Sequence, residues 1–533
     1  MSFKWRKLFK KFSVGLCGVL TAGILFSGCG GDGGGTSKGG DPNVLKVGVT
    51  NFADTLEPTQ NYFGWVVMRY GLGECLTKFD EKMNIQPWLA ESWSVSDDHL
   101  TWTFKIRDNV KFSNGDALTA DAVKQSIERA FEKNTRAATF FEYDSINADG
   151  QNLIIQTKKP LPGMPGYLAD PLFIIVDVAA ETAGRNFSSE GPICTGPYTV
   201  ESFVKERAVM KRNENYWAGE VPYATVEIPS IDDPNTRAMA LQSGDVDVAV
   251  NIAAGDIELF KGNDKFNVDE ISSLRVVLAR LNQNPDRIMS DPKVRAAVIA
   301  GCDRETYNNV LLKGTFIPGK APVPPSLDYG FDKLTDPNAY NPERAAQLLD
   351  EAGWKDTDGD GIREKDGRKL ELDFVVYNSR AELPLYAEAV QSDLKKIGID
   401  VKINTVDYNL IDNMGIKGEY DFLISNITTA NTGDPEIFLT WYWKTNVNGN
   451  NPQNGSGYSN PEFDAKMEQL SSEFDKDKRR ELIIELQQIL LNDGAALFFG
   501  YPQTNIINAK YVDGVKMYPS DYYWITNLIK PAK

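Results

Sequence analysis

The chain has 533 residues, of which 42% are hydrophobic and 25% are charged, and its formal net charge is −17. This length allows roughly two to four domains with sizeable buried cores. The acidic balance argues against nucleic acid as a partner, because phosphate binding needs an excess of lysine and arginine. His99 is the only histidine, so a metal site built from several histidines is excluded.

The N-terminus has the pattern of a targeting segment. Five basic residues precede an apolar run at residues 14–26, which is too short to span a bilayer and is typical of a signal peptide. The run ends in LFSGC, which resembles the cleavage and lipidation site of bacterial lipoproteins. We therefore predict a lipoprotein signal peptide at 1–28, lipidation at Cys29 and a Gly-rich tether at 29–43. An ordinary signal peptide is the alternative.

Strands and helices alternate along the rest of the chain. Residues 44–49 (VLKVGV) predict a first strand, and Trp102, Phe104 and Ile106 alternate with polar residues as in a half-buried strand. Thr119 is a good N-cap for a helix with Val123 and Ile127 on one face. This order predicts an α/β fold.

The second half of the chain contains the clearest single unit. Asn341-Pro342 predicts a helix start, because proline at the first helical position loses no hydrogen bond. Residues 370–403 then read as strand, helix and strand, which implies a right-handed parallel crossover. Ligand sites in such sheets lie beyond the carboxyl ends of the strands. Tyr377 and Arg380 lie at that end and are predicted ligand-binding residues.

Two further features leave alternatives open. No CxxC spacing occurs among Cys75, Cys194 and Cys302. Either one pair of these cysteines forms a disulfide bond or none does. The run DTDGDG places Asp356, Asp358 and Asp360 as at the start of an EF-hand loop, although the terminal glutamate of such loops is replaced by Gly367. A calcium site or a plain surface turn are both compatible with this run, and no other cofactor is predicted.

Several segments together resemble the peptide/nickel family of solute-binding proteins of ABC importers (extracellular solute-binding protein family 5). They include WLAESWSVSDDHLTWTFKIRDNVKFSNG at 88–115, TGPYTVESFVKERAVMKRNENYW at 195–217, DPNTRAMALQSGDVD at 233–247 and DPKVRAAVIAGCDRETYNNVLLKG at 291–314. The resemblance implies a two-lobed periplasmic-binding-protein-like fold (type II, cluster C) with an extra subdomain in the first lobe. It implies lobe one at 44–276, lobe two at 277–498 and a return to lobe one at 499–533, with crossings near 277–281 and 497–501.

The same resemblance implies a set of ligand-binding residues. Arg136 lies in a segment that faces the cleft of nickel-binding relatives, where a guanidinium meets ligand carboxylates. In peptide-binding relatives an aspartate pairs with the ligand's ammonium at the position held here by Asn431, and Asp434 lies beside the following proline. The nickel relatives carry a metal-binding histidine shortly downstream, which this chain lacks.

Aromatic residues complete the candidate site. Tyr62, Phe63 and Trp65 match a region that lines the cleft of the family, and the prediction favours lining over core. Trp441 and Trp443 share one face if their segment is extended, and they then belong either to the cleft wall or to the core.

The predicted function is that of a non-enzymatic, monomeric, extracytoplasmic lipoprotein. It captures short peptides or peptide-like ligands and delivers them to a permease and ATPase. The alternatives are a nickel or cobalt chelate as ligand, a sensor that captures ligand for signalling alone, and a hydrolase that uses paired carboxylates. No P-loop or HExxH motif is present, and no GxSxG or GxGxxG motif lies between a predicted strand and a predicted helix.

Overall fold

The computed structural model describes residues 43–533. The predicted signal peptide and Cys29 lie outside the described residues. Within the described part of the chain, no helix is long and apolar enough to cross a membrane.

The elements up to residue 272 build the first part of the molecule. Its strands are β1 (Val44–Gly48), β2 (Thr77–Phe79), β3 (Ile85–Pro87), β4 (Ala90–Val95), β5 (Thr101–Ile106), β6 (Tyr143–Asp149), β7 (Asn152–Thr157), β8 (Tyr198–Val204), β9 (Arg207–Arg212), β10 (Thr225–Pro229), β11 (Val248–Val250) and β12 (Phe266–Ser272). Its helices are α1 (Gly64–Arg69), α2 (Ala120–Lys133), α3 (Ala137–Phe140), α4 (Met164–Tyr167), α5 (Val178–Thr182), α6 (Phe187–Glu190), α7 (Pro234–Ser243) and α8 (Ala254–Ile257).

The remaining elements follow from residue 275. The strands are β13 (Arg275–Leu281), β14 (Phe316–Pro318), β15 (Glu364–Lys365), β16 (Arg368–Lys369), β17 (Glu371–Tyr377), β18 (Asp400–Val406), β19 (Phe422–Thr428), β20 (Ala496–Ala509), β21 (Val512–Asp513) and β22 (Lys530–Pro531). The helices are α9 (Pro292–Ala300), α10 (Arg304–Thr306), α11 (Pro342–Glu351), α12 (Glu382–Lys396), α13 (Ile411–Lys417), α14 (Glu436–Trp443), α15 (Pro461–Leu470) and α16 (Lys476–Asn492).

A large mixed sheet runs through the molecule in the order β18-β17-β19-β13-β20-β11-β1-β10-β9-β8, and β12 and β14 also pair with β20. We call the half with β1 and β8–β12 lobe one, and the half with β13 and β17–β19 lobe two. Each half has its own apolar core, and helices cover the sheet as expected for an α/β fold. The fold is therefore two-lobed, as the sequence predicts.

Strand β20 belongs to both lobes. Residues 496–500 of β20 pair with β13 of lobe two, whereas 503–509 pair with β12 of lobe one. Pro502 lies where the partner changes, and its carbonyl accepts from the N–H of Ser273, which separates β12 from β13. Because proline has no N–H, Pro502 donates no hydrogen bond to a neighbouring strand at this point. This junction lies close to the predicted crossing segments.

An extra subdomain projects from lobe one. Its four-stranded antiparallel sheet has the order β4-β5-β7-β6, and α2 packs against it. The predicted cap is confirmed, since the Thr119 hydroxyl accepts from the N–H of Ala122. Val123 and Ile127 are buried in the subdomain core.

The predicted crossover in lobe two is also confirmed. Strands β17 and β18 are parallel neighbours and α12 connects them. Asn341 caps α11 by accepting from the N–H of Arg344. The three cysteines of the described chain are buried free thiols.

Candidate ligand-binding cleft

The two lobes meet around Asp170, a fully buried carboxylate just before the turn at Pro171. The Arg136 guanidinium of lobe one lies 3.7 Å from Asp170 Oδ1. Asn431 of lobe two donates from Nδ2 to Asp170 Oδ2 at 3.1 Å. The N–H of Leu172 also donates to Asp170, at 2.9 Å. Asp170 thus interacts with one side chain from each lobe, Arg136 and Asn431.

Aromatic rings surround Arg136. Its Cζ atom lies 4.6 Å from the ring centroid of Tyr62 and 5.5 Å from that of Phe140, within the range of cation–π attraction. Its Nε is buried and has no partner among the described residues. Tyr62 is 49% exposed and its ring meets Trp65 edge-on at 6.2 Å.

Tyr62 also lies near lobe two. Burial raises the pKa of the Tyr62 hydroxyl, the charge of Arg136 opposes that rise, and Tyr408 and Asp412 of lobe two add to it. Tyr408 in turn packs edge-on against Tyr377 at 5.2 Å. The structure therefore brings the predicted residues Tyr62, Trp65, Arg136 and Asn431 to one lobe junction.

A second group of side chains lies at the end of β17, as predicted. Tyr377 is buried, and its hydroxyl accepts from the N–H of Asn426 on β19 at 3.3 Å. Arg380 is partly exposed and follows Tyr377 in the loop before α12. Arg275, the first residue of β13, donates to the carbonyl oxygen of Asn426 at 3.3 Å. These residues share the sheet edge where β17 and β19 end.

Two aromatic predictions need correction. Phe63 is buried in the core of lobe one, beside the start of α1. Residues 436–443 form helix α14 and are not extended. Trp441 lies four residues after Ile437, on the same side of the helix, and both side chains pack against the subdomain core. Trp443 is instead fully buried in the core of lobe two. The two tryptophans therefore do not share a face, and Trp443 belongs to the core.

Asp434 also has a different place from the predicted one. Its Oδ2 accepts two hydrogen bonds from Arg479, at 2.9 and 3.0 Å. Arg479 donates to Glu436 as well, at 2.8 Å. This buried ion group is internal to lobe two and fixes the loop that carries Asn431, so Asp434 is held away from a ligand.

That loop presses closely against the subdomain. A Cβ atom at Gly166 in α4 would overlap the carbonyl oxygen of Thr432, so only glycine fits there. Phe474, in the loop before α16, stacks on His99 with ring centroids 4.0 Å apart. Contacts on this side therefore connect the subdomain to lobe two.

The predicted calcium loop lies on the surface of lobe two. It is distant in sequence from the cleft residues Arg136, Asp170 and Asn431. Carboxylate oxygens of Asp356, Asp358, Asp360 and Glu364 all lie within 4.8 Å of one another. The Lys369 ammonium contacts Asp360 and lies 3.6 Å from Asp358. Calcium binding at this loop stays a prediction, and the Lys369 ammonium already supplies a positive charge beside the carboxylates.

Sequence reasoning missed Asp170 and Arg275. Asp170 stands in the sequence as Asp-Pro, a common start of a helical turn, and it does cap such a turn. Arg275 stands out more, because it opens the otherwise apolar strand RVVLARL. A charged residue at the start of a central apolar strand was the available signal.

Comparison with known proteins places this architecture in a family. The profile of the bacterial extracellular solute-binding proteins, family 5, matches residues 84–450, more than half of the chain. The chain belongs to this family. Family 5 proteins act outside the cytoplasm as solute-binding components of ABC importers, so the predicted resemblance is confirmed.

Individual family 5 relatives differ in the ligand that their names state. The oligopeptide-binding protein AppA of Bacillus subtilis is 28% identical over 499 residues, which is 90% of each chain. The nickel-binding protein NikA of Staphylococcus aureus is 25% identical over 512 residues, 96% of this chain and 97% of NikA. A crystal structure of NikA from Brucella suis with Fe(III)-EDTA has a TM-score of 0.79 and 25% identity, covering 91% of this chain and all of the other.

Proposed function

We propose that this family 5 protein captures short peptides or peptide-like amphoteric ligands between its lobes and delivers them to a membrane permease that works with an ATPase. The observation that carries the proposal is the meeting of Tyr62, Arg136 and Asp170 of lobe one with Asn431 of lobe two. A ligand between these groups contacts both lobes only when they close. Such differential contact shifts the equilibrium between open and closed states.

The charges of the cleft support an amphoteric ligand. Arg136 presents a cation to a ligand carboxylate. Asp170, buried 3.7 Å behind that guanidinium, places a negative charge in the same region, which favours an ammonium nearby. The rings of Tyr62 and Trp65 add flat apolar surface. To shift the ratio of closed to open molecules from 1:99 to 99:1, the ligand must bind the closed state about 5.5 kcal/mol more favourably than the open state. One buried charge pair and aromatic contacts are of that order.

Native mass spectrometry of freshly purified protein tests this proposal. We expect a co-purified ligand of peptide mass, released intact on denaturation, and small-angle scattering that reports a more compact liganded state. Arg136→Ala is expected to lose the ligand, whereas Arg344→Ala, at an exposed position of α11, is expected to keep it. A ligand that the protein chemically converts would favour the hydrolase, and identical dimensions with and without a ligand would contradict capture by closure.

A metal chelate is the second candidate. The nickel-binding relative aligns over 96% of this chain, and a cleft rich in arginine suits chelate carboxylates. Because the chain has one histidine, stacked on Phe474, the chelator must bring most metal donors itself. Calorimetry is expected to detect nickel only together with a chelator such as histidine, and binding of free nickel would contradict this version.

We further propose that Cys29 is lipidated and anchors the protein to the outer face of the cytoplasmic membrane. The support is the sequence pattern that ends in LFSGC. Cell fractionation of the wild type and Cys29→Ser tests the anchor. The wild type is expected in the membrane fraction, and the variant is expected to leave it.

A further inference from the structure

Three asparagines of the chain stand directly before a glycine: Asn114, Asn448 and Asn454. Such a pair is chemically reactive, because glycine has no side chain that would keep its backbone nitrogen away from the side-chain amide carbon of the asparagine. The two groups meet only if the asparagine side chain and the backbone after it are free to rotate. The contacts that hold each pair therefore determine its reactivity in the folded protein.

Asn114 is held at both ends of its amide group. Its Nδ2 donates to carboxylate oxygens of Asp116 and Asp177, each at 2.8 Å, and its Oδ1 accepts from the N–H of Asp116 at 3.1 Å. The N–H of Gly115 donates to the carbonyl oxygen of Phe112 at 2.9 Å. Neither reacting group of this pair is free to move.

Asn454 is buried in lobe two, where it is 3% exposed. Its Nδ2 donates to the carbonyl oxygens of Lys444 at 3.0 Å and Tyr458 at 2.8 Å. Its Oδ1 accepts from the hydroxyl of Ser456 at 2.9 Å. Rotation of this side chain breaks all three hydrogen bonds inside the protein, so attack on Asn454 requires local unfolding of lobe two.

Asn448 differs from both. It is exposed, and its side chain makes no hydrogen bond within residues 43–533. Asn448 and Gly449 have φ angles of 54° and 82° and form a tight turn, in which the N–H of Asn450 donates to the carbonyl oxygen of Val447 at 3.1 Å. Asn450 Oδ1 accepts from the N–H of Val447 at 2.7 Å, and the N–H of Gly449 has no acceptor among the described residues. Opening this turn breaks two hydrogen bonds at the surface, which costs far less than unfolding a buried segment.

We propose that Asn448 is a site of spontaneous deamidation in the folded protein, whereas Asn114 and Asn454 are protected. The backbone nitrogen of Gly449 forms a bond to Cγ of Asn448, the bond from Cγ to Nδ2 breaks, and ammonia leaves with the proton of the attacking nitrogen. Water then opens the cyclic imide at either carbonyl, which gives aspartate or isoaspartate in place of Asn448. Either product adds a negative charge to the loop between α14 and α15 of an already acidic chain.

Peptide mass spectrometry after incubation in water enriched in heavy oxygen tests this proposal. The folded wild type is kept in mildly alkaline buffer made with this water and is then digested with trypsin in ordinary water, so only deamidation during the incubation introduces the label. The tryptic peptide 445–466 contains Asn448 and Asn454, and its fragment ions compare the two sites within one molecule. The peptide 112–124 reports on Asn114.

We expect Asn448 to be labelled about tenfold or more faster than Asn114 and Asn454 in the folded protein, and all three at comparable rates in urea. Asn448→Gln is the matched control, because glutamine must close a larger ring and reacts far more slowly; it is expected to remove the label at this site alone. Equal labelling of Asn448 and Asn454 in the folded protein would overturn the proposal. So would an unlabelled Asn448 under conditions that label the chain in urea. Ligand capture is tested separately by the native mass spectrum, so either result stands without the other.

Discussion

Arg479 holds the loop that carries Asn431, and its removal is expected to destabilise the protein strongly. The side chain is 9% exposed and donates to Asp434 at 2.9 and 3.0 Å and to Glu436 at 2.8 Å. It also donates to the Leu470 carbonyl oxygen at 2.6 Å. Arg479→Met preserves the length of the side chain but leaves two partly buried carboxylates without a cation. Breaking a buried pair in this way costs about 3–5 kcal/mol of unfolding free energy.

Urea denaturation followed by circular dichroism measures this loss. The series contains the wild type, Arg479→Met, Asp434→Asn and the double variant. We expect the double variant to be more stable than Arg479→Met, because Asp434→Asn removes a charge that the first change left unpaired. The reasoning is refuted if Arg479→Met unfolds at the wild-type urea concentration. It is refuted equally if Asp434→Asn abolishes ligand capture while stability stays unchanged, since Asp434 would then be a ligand contact.

Three further outcomes are expected. Arg136→Ala should weaken binding of a carboxylate-bearing ligand by about 2–5 kcal/mol in calorimetry, and an unchanged affinity would remove Arg136 from the site. Burial raises the pKa of Glu74 to about 7 against hydrogen bonds that lower it, so the folded state retains a proton that the unfolded chain releases. Melting temperature should therefore fall as pH rises from about 4.5 to 7, and Glu74→Gln should flatten that fall. Calcium should stabilise Lys369→Ala more than the wild type, because the ammonium competes with a cation at Asp358 and Asp360; equal melting-temperature shifts would contradict this.

The parts of the fold that could be predicted from sequence are those set by local rules. Thr119 and Asn341 cap helices through hydrogen bonds to N–H groups three residues away, so the signal lies within one turn. The alternation around Phe104 and the strand–helix–strand unit at 370–403 are equally local. The resemblance to the family then supplied the two-lobed arrangement, which no local pattern specifies.

The remaining parts depend on contacts between distant segments. Residues 437–443 are apolar on every side, and such a short run fits a buried strand as well as a buried helix. The helix is favoured because α14 lies between two cores, and its apolar side chains pack against both of them. Likewise Asn431 finds its partner in Asp170, 261 residues earlier. No spacing rule relates such a pair.

The shared strand β20 also limits how this chain can change over evolutionary time. A one-residue insertion in a strand turns every later side chain to the opposite face of its sheet. In most proteins such an error spoils one core, but here the residues beyond the insertion belong to the other lobe. Tyr501 and Ile506 are both fully buried, Tyr501 in the core of lobe two and Ile506 in that of lobe one. A single insertion before Tyr501 would turn both side chains out of their cores. Length variation among descendants of this sequence should therefore be found in surface loops and be missing from residues 496–509.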